Sequence, residues 1–198
     1  MIRFEDFLIE MPQKLGNASN LLNDLKHNMV IYDNSKNYKT IDKINDYDLV
    51  KNTIWNETKY VLLDRDNKLV LFMTNVVKKL GSKLIPFSYN TQSLITKMDN
   101  SNLPKGFGAK FVYEYLITKT NIPLVSDKTQ YTGGNILWNT LFDFALQDNL
   151  YCYTIEFDEL TNVTKENKTE IMKNTFQSDE YYKNIRYVIS KQNLNGLF

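Results

Sequence analysis

The segment Lys105-Gly106-Phe107-Gly108-Ala109-Lys110 carries residue types that can seat an anion without a metal. Two glycines let the backbone turn tightly and expose successive N–H groups. Apolar residues then recur at helical spacing (Phe107, Phe111, Val112, Tyr115, Leu116), which predicts a helix from about Gly108 to Lys119. Its dipole adds about half a positive charge at the same end. This makes a seat for a pyrophosphate, with Lys105 and Lys110 adding charge beside it. A glycine-rich turn before a helix is, taken alone, also an ordinary turn. No Lys-Ser/Thr pair of a phosphate-binding loop follows, and Gly106-Phe107-Gly108 lacks the third glycine of the dinucleotide fingerprint.

A second group lies in SDKTQYTGGNILW, residues 126–138. Ser126, Asp127 and Tyr131 fall at the end of a predicted strand, Leu124–Asp127, and in the loop above it, where α/β proteins place chemistry. Asp127 can act as a general base if partial burial raises its pKa. Equally, Ser126 and Asp127 can cap the next turn, and Thr132-Gly133-Gly134 can simply start a helix. Trp138 reads as a core or pocket-wall residue. Cys152, between two tyrosines, reads as a small buried side chain, and Glu156, Asp158 and Glu159 as a solvated strand end. With His27 as the single histidine and Cys152 as the single cysteine, no metal site is expected.

The whole chain must position these residues. Its 198 residues, 42% hydrophobic, suffice for a real core. Lys+Arg is 24 against 23 Asp+Glu with no basic stripe, so nucleic acid is not an expected partner. The longest apolar runs, such as Leu69–Met73, fall far short of the roughly 20 residues of a membrane span, so a soluble protein is expected. One cysteine suits a reducing interior. Asparagine numbers 24, and lysine 21 against Arg3, Arg65 and Arg186, the mark of an AT-rich genome.

Residues 11–56 read as an irregular, partly helical extension, with helix-like patches at Ala18–Leu25 and Asp46–Trp55. Lys59–Leu63 and Lys68–Asn75, joined by Asp64-Arg65-Asp66-Asn67, predict a hairpin. Lys83–Tyr89, broken by Pro86, predicts a third, splayed strand. Asn90–Asn102 reads as a polar connector with a short helix at Gln92–Met98. A second helix is predicted from Gly133 to Gln147, strands at Tyr151–Phe157 and Ile185–Ser190, and a helix near Glu170–Phe176. The expected fold class is α+β: a mixed, mostly antiparallel sheet flanked by helices in residues 57–198.

Gly106 and Gly108 fall on the two small positions of a pattern that this region resembles, motif A of the GNAT acyltransferase superfamily: Gln/Arg-x-x-Gly-x-Gly/Ala on the turn between a splayed strand and a helix. Leu103 stands where the family carries Gln or Arg. The order of elements from Lys59 to Ser190 is also similar to that superfamily. The resemblance implies acetyl-CoA as cofactor, its pyrophosphate on the N–H groups of Lys105, Gly106, Phe107, Gly108 and Ala109 with Lys110 adjacent. It implies a pantetheine arm running between Leu84–Phe87 and Leu124–Asp127, and contacts from Asn135 and Trp138 on the second helix. Trp138 and Phe142 occupy the places where family members carry a proton-donating Tyr, which leaves Ser126, Asp127 and Tyr131 as the implied catalytic set. A catalytically degenerate relative, acting as a binding protein that inhibits a host nuclease or defence factor, is the alternative.

The chain opens MIRFEDFLIE, with Ile2, Phe4, Phe7, Leu8 and Ile9 along one side of a helix that Pro12 would stop. About ten residues cannot hold a helix alone, so this stretch needs a partner surface. A first helix docked on the domain meets that need. Met1, Phe4, Asp6, Phe7, Leu8 and Glu10 also resemble the capsid-targeting propeptides of internal head proteins in tailed phages, which are cut after a Glu. That likeness implies a propeptide over residues 1–10 recognised by the phage prohead scaffold or protease, cleavage after Glu10, packaging in the virion head, and delivery to the host cytoplasm with a host protein as substrate or target.

Overall fold

The computed structural model describes residues 38–66, 69–78, 85–97, 103–126, 132–156, 159–174 and 185–197. The fold is mixed α+β. Its nine strands form a mostly antiparallel sheet in the order β1-β2-β3-β4-β5-β6-β9-β7-β8, and helices are few among the described residues. The strands are β1 (Lys39–Ile44), β2 (Tyr47–Ile54), β3 (Glu57–Leu63), β4 (Leu69–Lys78), β5 (Tyr89–Lys97), β6 (Leu124–Val125), β7 (Tyr151–Glu156), β8 (Glu159–Val163) and β9 (Arg186–Ser190). The described helices are α1 (Phe107–Val112), which continues as a π-helical stretch over Tyr113–Thr118, α2 (Thr132–Gln147) and α3 (Lys168–Asn174). The chain divides into two compact units: Met1–Thr74 with Leu94–Asn102, and Asn75–Ser93 with Leu103–Phe198.

In the first unit β1, β2 and β3 form an antiparallel meander closed by two-residue turns at Asn45-Asp46 and Trp55-Asn56. Val50, Val61, Leu63 and Phe72 build its core, with Tyr38 and Leu69 packed against them. The Asp64 carboxylate accepts the Asp66 N–H at 2.9 Å and shapes the β3–β4 turn, as the Asp-rich sequence led one to expect. Arg65 donates to Asp46 at 2.6 Å and ties that turn to the first one.

The second unit carries the predicted anion seat. Val125, Val188 and Tyr153 align across β6, β9 and β7 and join Ile85, Ile155 and Leu194 in the core on one face. One residue along each strand, Ser126, Tyr187 and Thr154 point to the other face. There α2 lies across them, with Trp138 and Phe142 packed on the Tyr187 ring at centroid distances of 5.7 and 5.6 Å. The tail after β9 is held by Tyr153, whose hydroxyl accepts the Leu194 N–H at 2.9 Å.

Several expectations need correction. Asp46–Trp55 is strand rather than helix: Leu49, Val50 and Asn52 are all buried, so both faces are covered and the alternation that marks a strand is blurred. The third strand is Tyr89–Lys97 and not Lys83–Tyr89; Pro86, which has no N–H to give a ladder, lies outside it, and Ile85 makes a lone bridge. The helix expected at Gln92–Met98 is therefore β5 up to Lys97, in a stretch whose Thr91, Ile95 and Thr96 are β-branched. Strand β8 was not foreseen either, because Glu159, Thr161 and Asn162 on this sheet edge are exposed and polar. The patch at Ala18–Leu25 lies outside the described residues.

Candidate functional site

Gly106 begins the site. It sits at φ +80°, in the left-handed region, and starts α1 as its N-cap. A Cβ placed there would meet nothing within 4 Å, so glycine is needed for conformation and not for space. The Phe107 N–H turns back to the Pro104 carbonyl at 3.2 Å, and the Lys110 N–H makes the first helical bond, to Gly106 at 3.1 Å. Between them the Gly108 and Ala109 N–H groups lie in the first turn, where the helix itself supplies no acceptor. No side chain caps this end. Lys105, Gly106 and Lys110 are exposed, Phe107 and Gly108 half-buried, and Ala109 buried. Leu103 is buried, so it presents no polar group to a ligand as a Gln or Arg would.

The helix is anchored at its far end. Phe107, Phe111 and Tyr115 stack in series along one side. The Lys119 N–H bonds Glu114, five residues back, which is the π pattern. Thr118 and Thr120 hydroxyls take the Glu114 and Leu116 carbonyls at 2.7 Å each, and Lys191 reaches the Thr118 carbonyl at 2.5 Å. Tyr113, on the other side, donates to Asp148 at 2.6 Å, and burial followed by that bond pushes its pKa up.

Strands β5 and β6 run parallel and are registered at one pair, Asn90 opposite Leu124. The Asn90 N–H donates to the Pro123 carbonyl at 2.7 Å, and its side-chain amide accepts from Asn75 at 3.1 Å and donates to Thr120 at 3.4 Å. Of the passage expected between Leu84–Phe87 and Leu124–Asp127, Leu84 and Asp127 lie outside the described residues. Ile85 and Val125 are packed in the same core cluster, with Phe87 against it.

Ser126 is 2% exposed, and its hydroxyl accepts the Tyr187 N–H at 2.9 Å. Its carbonyl takes a guanidinium N–H of Arg186 at 3.3 Å. The serine therefore extends the β6–β9 ladder with its side chain. Asp127, Tyr131 and Glu10 lie outside the described residues, as do Leu84 and His27.

Asn135, in the first turn of α2, is 6% exposed, and its amide Nδ2 has no hydrogen-bond partner among the described residues. A buried donor left unpaired costs about 1–3 kcal/mol, which is tolerated where a ligand completes the bond. One turn on, Trp138 is 5% exposed and edge-on to Phe142, so it walls this region and does not react. Tyr187, opposite Ser126 and beneath Trp138, is a tyrosine that sequence reasoning passed over; the alternation of β9 was the signal, but its neighbours become visible only once β9 is placed between β6 and β7.

Other chemistry is thin. Burial pushes the Cys152 thiol up to about 12, so it is protonated and unreactive near neutrality. Glu156 and Glu159 face each other across the β7–β8 ladder. Among the described residues no three His, Cys, Asp or Glu side chains could hold a metal ion, and no helix is long and apolar enough to cross a membrane. Comparison of the chain with protein-family models, with curated proteins and with solved structures gives no match.

Proposed function

We propose that this chain is a phage-encoded, GNAT-like acyltransferase that uses acetyl-CoA, is packaged in the virion head, and modifies a host molecule after injection. The observation on which this reading rests is the buried amide of Asn135, whose Nδ2 has no hydrogen-bond partner among the described residues and which a ligand acceptor would satisfy. Two further features support it. The Gly108 and Ala109 amides lie in the first turn of α1, which no side chain caps, and are flanked by Lys105 and Lys110, a suitable seat for phosphate. Helix α1 also links two parallel strands, β5 and β6, that are registered at a single pair.

Calorimetric titration with acetyl-CoA tests this. Binding is expected for the wild type and for Gly106→Ala, which costs about 1 kcal/mol of stability at a left-handed position but adds no charge. Gly106→Glu pays the same strain and also sets a carboxylate against the phosphates, so it is expected to lose at least tenfold in affinity. No heat from the wild type at millimolar ligand ends the enzyme reading.

The second reading is a degenerate fold that binds a host nuclease or defence factor. It is favoured by Leu103, buried where the superfamily carries Gln or Arg, and by Ser126, whose hydroxyl already accepts a ladder N–H. For the leader, intact mass of the protein taken from virions is expected to correspond to a chain beginning at Met11, and Glu10→Gln is expected to leave it full length. Uncut wild-type protein in mature particles refutes the cleavage.

A further inference from the structure

Of the chain's 24 asparagines, Asn195 alone is followed by glycine. The pair Asn195-Gly196 fills the two central places of a turn closed by the Leu197 N–H, which donates to the Leu194 carbonyl at 3.1 Å. Both residues are exposed, and Gly196 takes φ +99°, a left-handed conformation that glycine adopts without strain. A Cβ built on Gly196 would meet nothing within 4 Å, so no neighbour covers it. Among the described residues neither the Asn195 side-chain amide nor the Gly196 N–H makes a hydrogen bond. Elsewhere in the described chain asparagines are buried, as Asn52, Asn75, Asn90 and Asn135 are, or precede a residue whose side chain crowds the next backbone nitrogen.

The turn is tied to the core by its neighbours. Leu194 is 2% exposed and packs with Ile85, Val125, Tyr153, Ile155 and Val188. Its N–H donates to the Tyr153 hydroxyl at 2.9 Å, and that hydroxyl donates to the Asn193 side-chain carbonyl at 3.1 Å. The same carbonyl accepts the Asn195 N–H at 2.9 Å. Tyr153 is fully buried, so a short series of bonds latches the turn to the interior.

We infer that Asn195-Gly196 is a self-modification site, at which the chain converts its own asparagine to aspartyl and isoaspartyl forms and so loosens the latch on Tyr153. The Gly196 nitrogen attacks Cγ of Asn195. A Cγ–N bond forms, the Cγ–Nδ2 bond breaks, and ammonia leaves with the proton of the Gly196 amide, closing a five-membered succinimide. Water then opens the ring. Attack at Cγ breaks the new bond and gives aspartate; attack at the main-chain carbonyl breaks the original peptide bond and leaves the chain running through Cγ as isoaspartate. Either way one water is consumed, one ammonia is released, and nothing is oxidised or reduced. The isoaspartyl product adds one carbon to the main chain, about 1.5 Å of contour, inside a turn closed by a single hydrogen bond. Leu194 must then shift in a close-packed core or give up its bond to Tyr153. The site lies in the second compact unit and does not depend on the acyl-transfer reading.

The test incubates the folded full chain in neutral buffer made with oxygen-18 water and follows Asn195 by peptide mapping, with electron-transfer fragmentation to separate aspartate from isoaspartate. Expected are conversion at Asn195 at least tenfold faster than at any other asparagine, one heavy oxygen in each product, and isoaspartate as the larger fraction. Asn195→Gln, an exposed change that needs a larger ring, is expected to convert at least tenfold more slowly. The isoaspartyl fraction is then compared with Asn195→Asp, which carries the same charge on an unbroken main chain. Hydrogen exchange at the Leu194 amide is expected to be at least tenfold faster in the isoaspartyl fraction. An Asn195 that stays intact in the folded chain, whether or not the urea-unfolded chain converts, overturns the inference, because the fold then protects the pair. Equal conversion of Asn195→Gln also overturns it, and equal Leu194 exchange in the two products removes the latch from it.

Discussion

Replacing Asn135 by leucine is expected to raise the melting temperature of the free protein and, in the same variant, to abolish the stabilisation that acetyl-CoA gives the wild type. Ordinary substitutions at a buried position lower stability. Here the Nδ2 donor has no partner among the described residues, so an apolar side chain of similar size removes a desolvation cost of about 1–3 kcal/mol. For a chain of this length that corresponds to a rise of very roughly 2–10 °C. A ligand at 100 times its dissociation constant stabilises the wild type by about 2.7 kcal/mol, and the variant loses that gain. Thermal denaturation with and without ligand reads both effects. If the variant melts lower and still responds to acetyl-CoA, the amide is structural and the proposed cofactor site fails.

The stability of the protein is expected to fall steeply between pH 9 and 12, with Cys152 as a leading cause. A thiol and a phenol are neutral when protonated, and burial holds them so: Cys152 moves from its ordinary value of 9.0 to about 12, and Tyr113 is also raised, first by burial and then by its bond to Asp148. Groups whose pKa is raised on folding contribute stability that is complete below the unfolded value and is lost as pH climbs to the folded one. Above pH 9 the unfolded chain sheds the thiol proton while the folded chain keeps it. Over the full interval Cys152 alone accounts for about 4 kcal/mol, a large share of a typical stability of about 5–15 kcal/mol. Urea midpoints at pH 7, 9, 10 and 11 measure the decline, and Cys152→Ala should flatten it while lowering the value at pH 7. A slope identical to the wild type in that variant would remove the thiol from the account.

How far the sequence could be read depended on the reach of each signal. The helix after Gly106 and the helix over Thr132–Gln147 were legible within about two residues, because a 3.6-residue apolar repeat and a glycine or proline boundary are local properties. Strand β5 was misread as a connector because its polar residues suit a loop as well as a strand, and only pairing decides between them. Strand β2 was misread because Leu49 and Val50 are both covered, which erases the period of two.

The site divides in the same way. The left-handed glycine, the uncapped first turn behind it and the flanking lysines follow from six consecutive residues, and the burial of Cys152 was read from its place between two tyrosines on one strand. The hydroxyl of Ser126 reaching the amide of Tyr187, the joining of β5 to β6 at Asn90, and the isolation of the Asn135 amide each rest on groups dozens of residues apart. Sequence alone determined which side chains were capable of chemistry, since capability is local. Tertiary structure decided which of them are engaged and which are left wanting a partner, because hydrogen-bond satisfaction in a dry interior depends on everything packed around each atom.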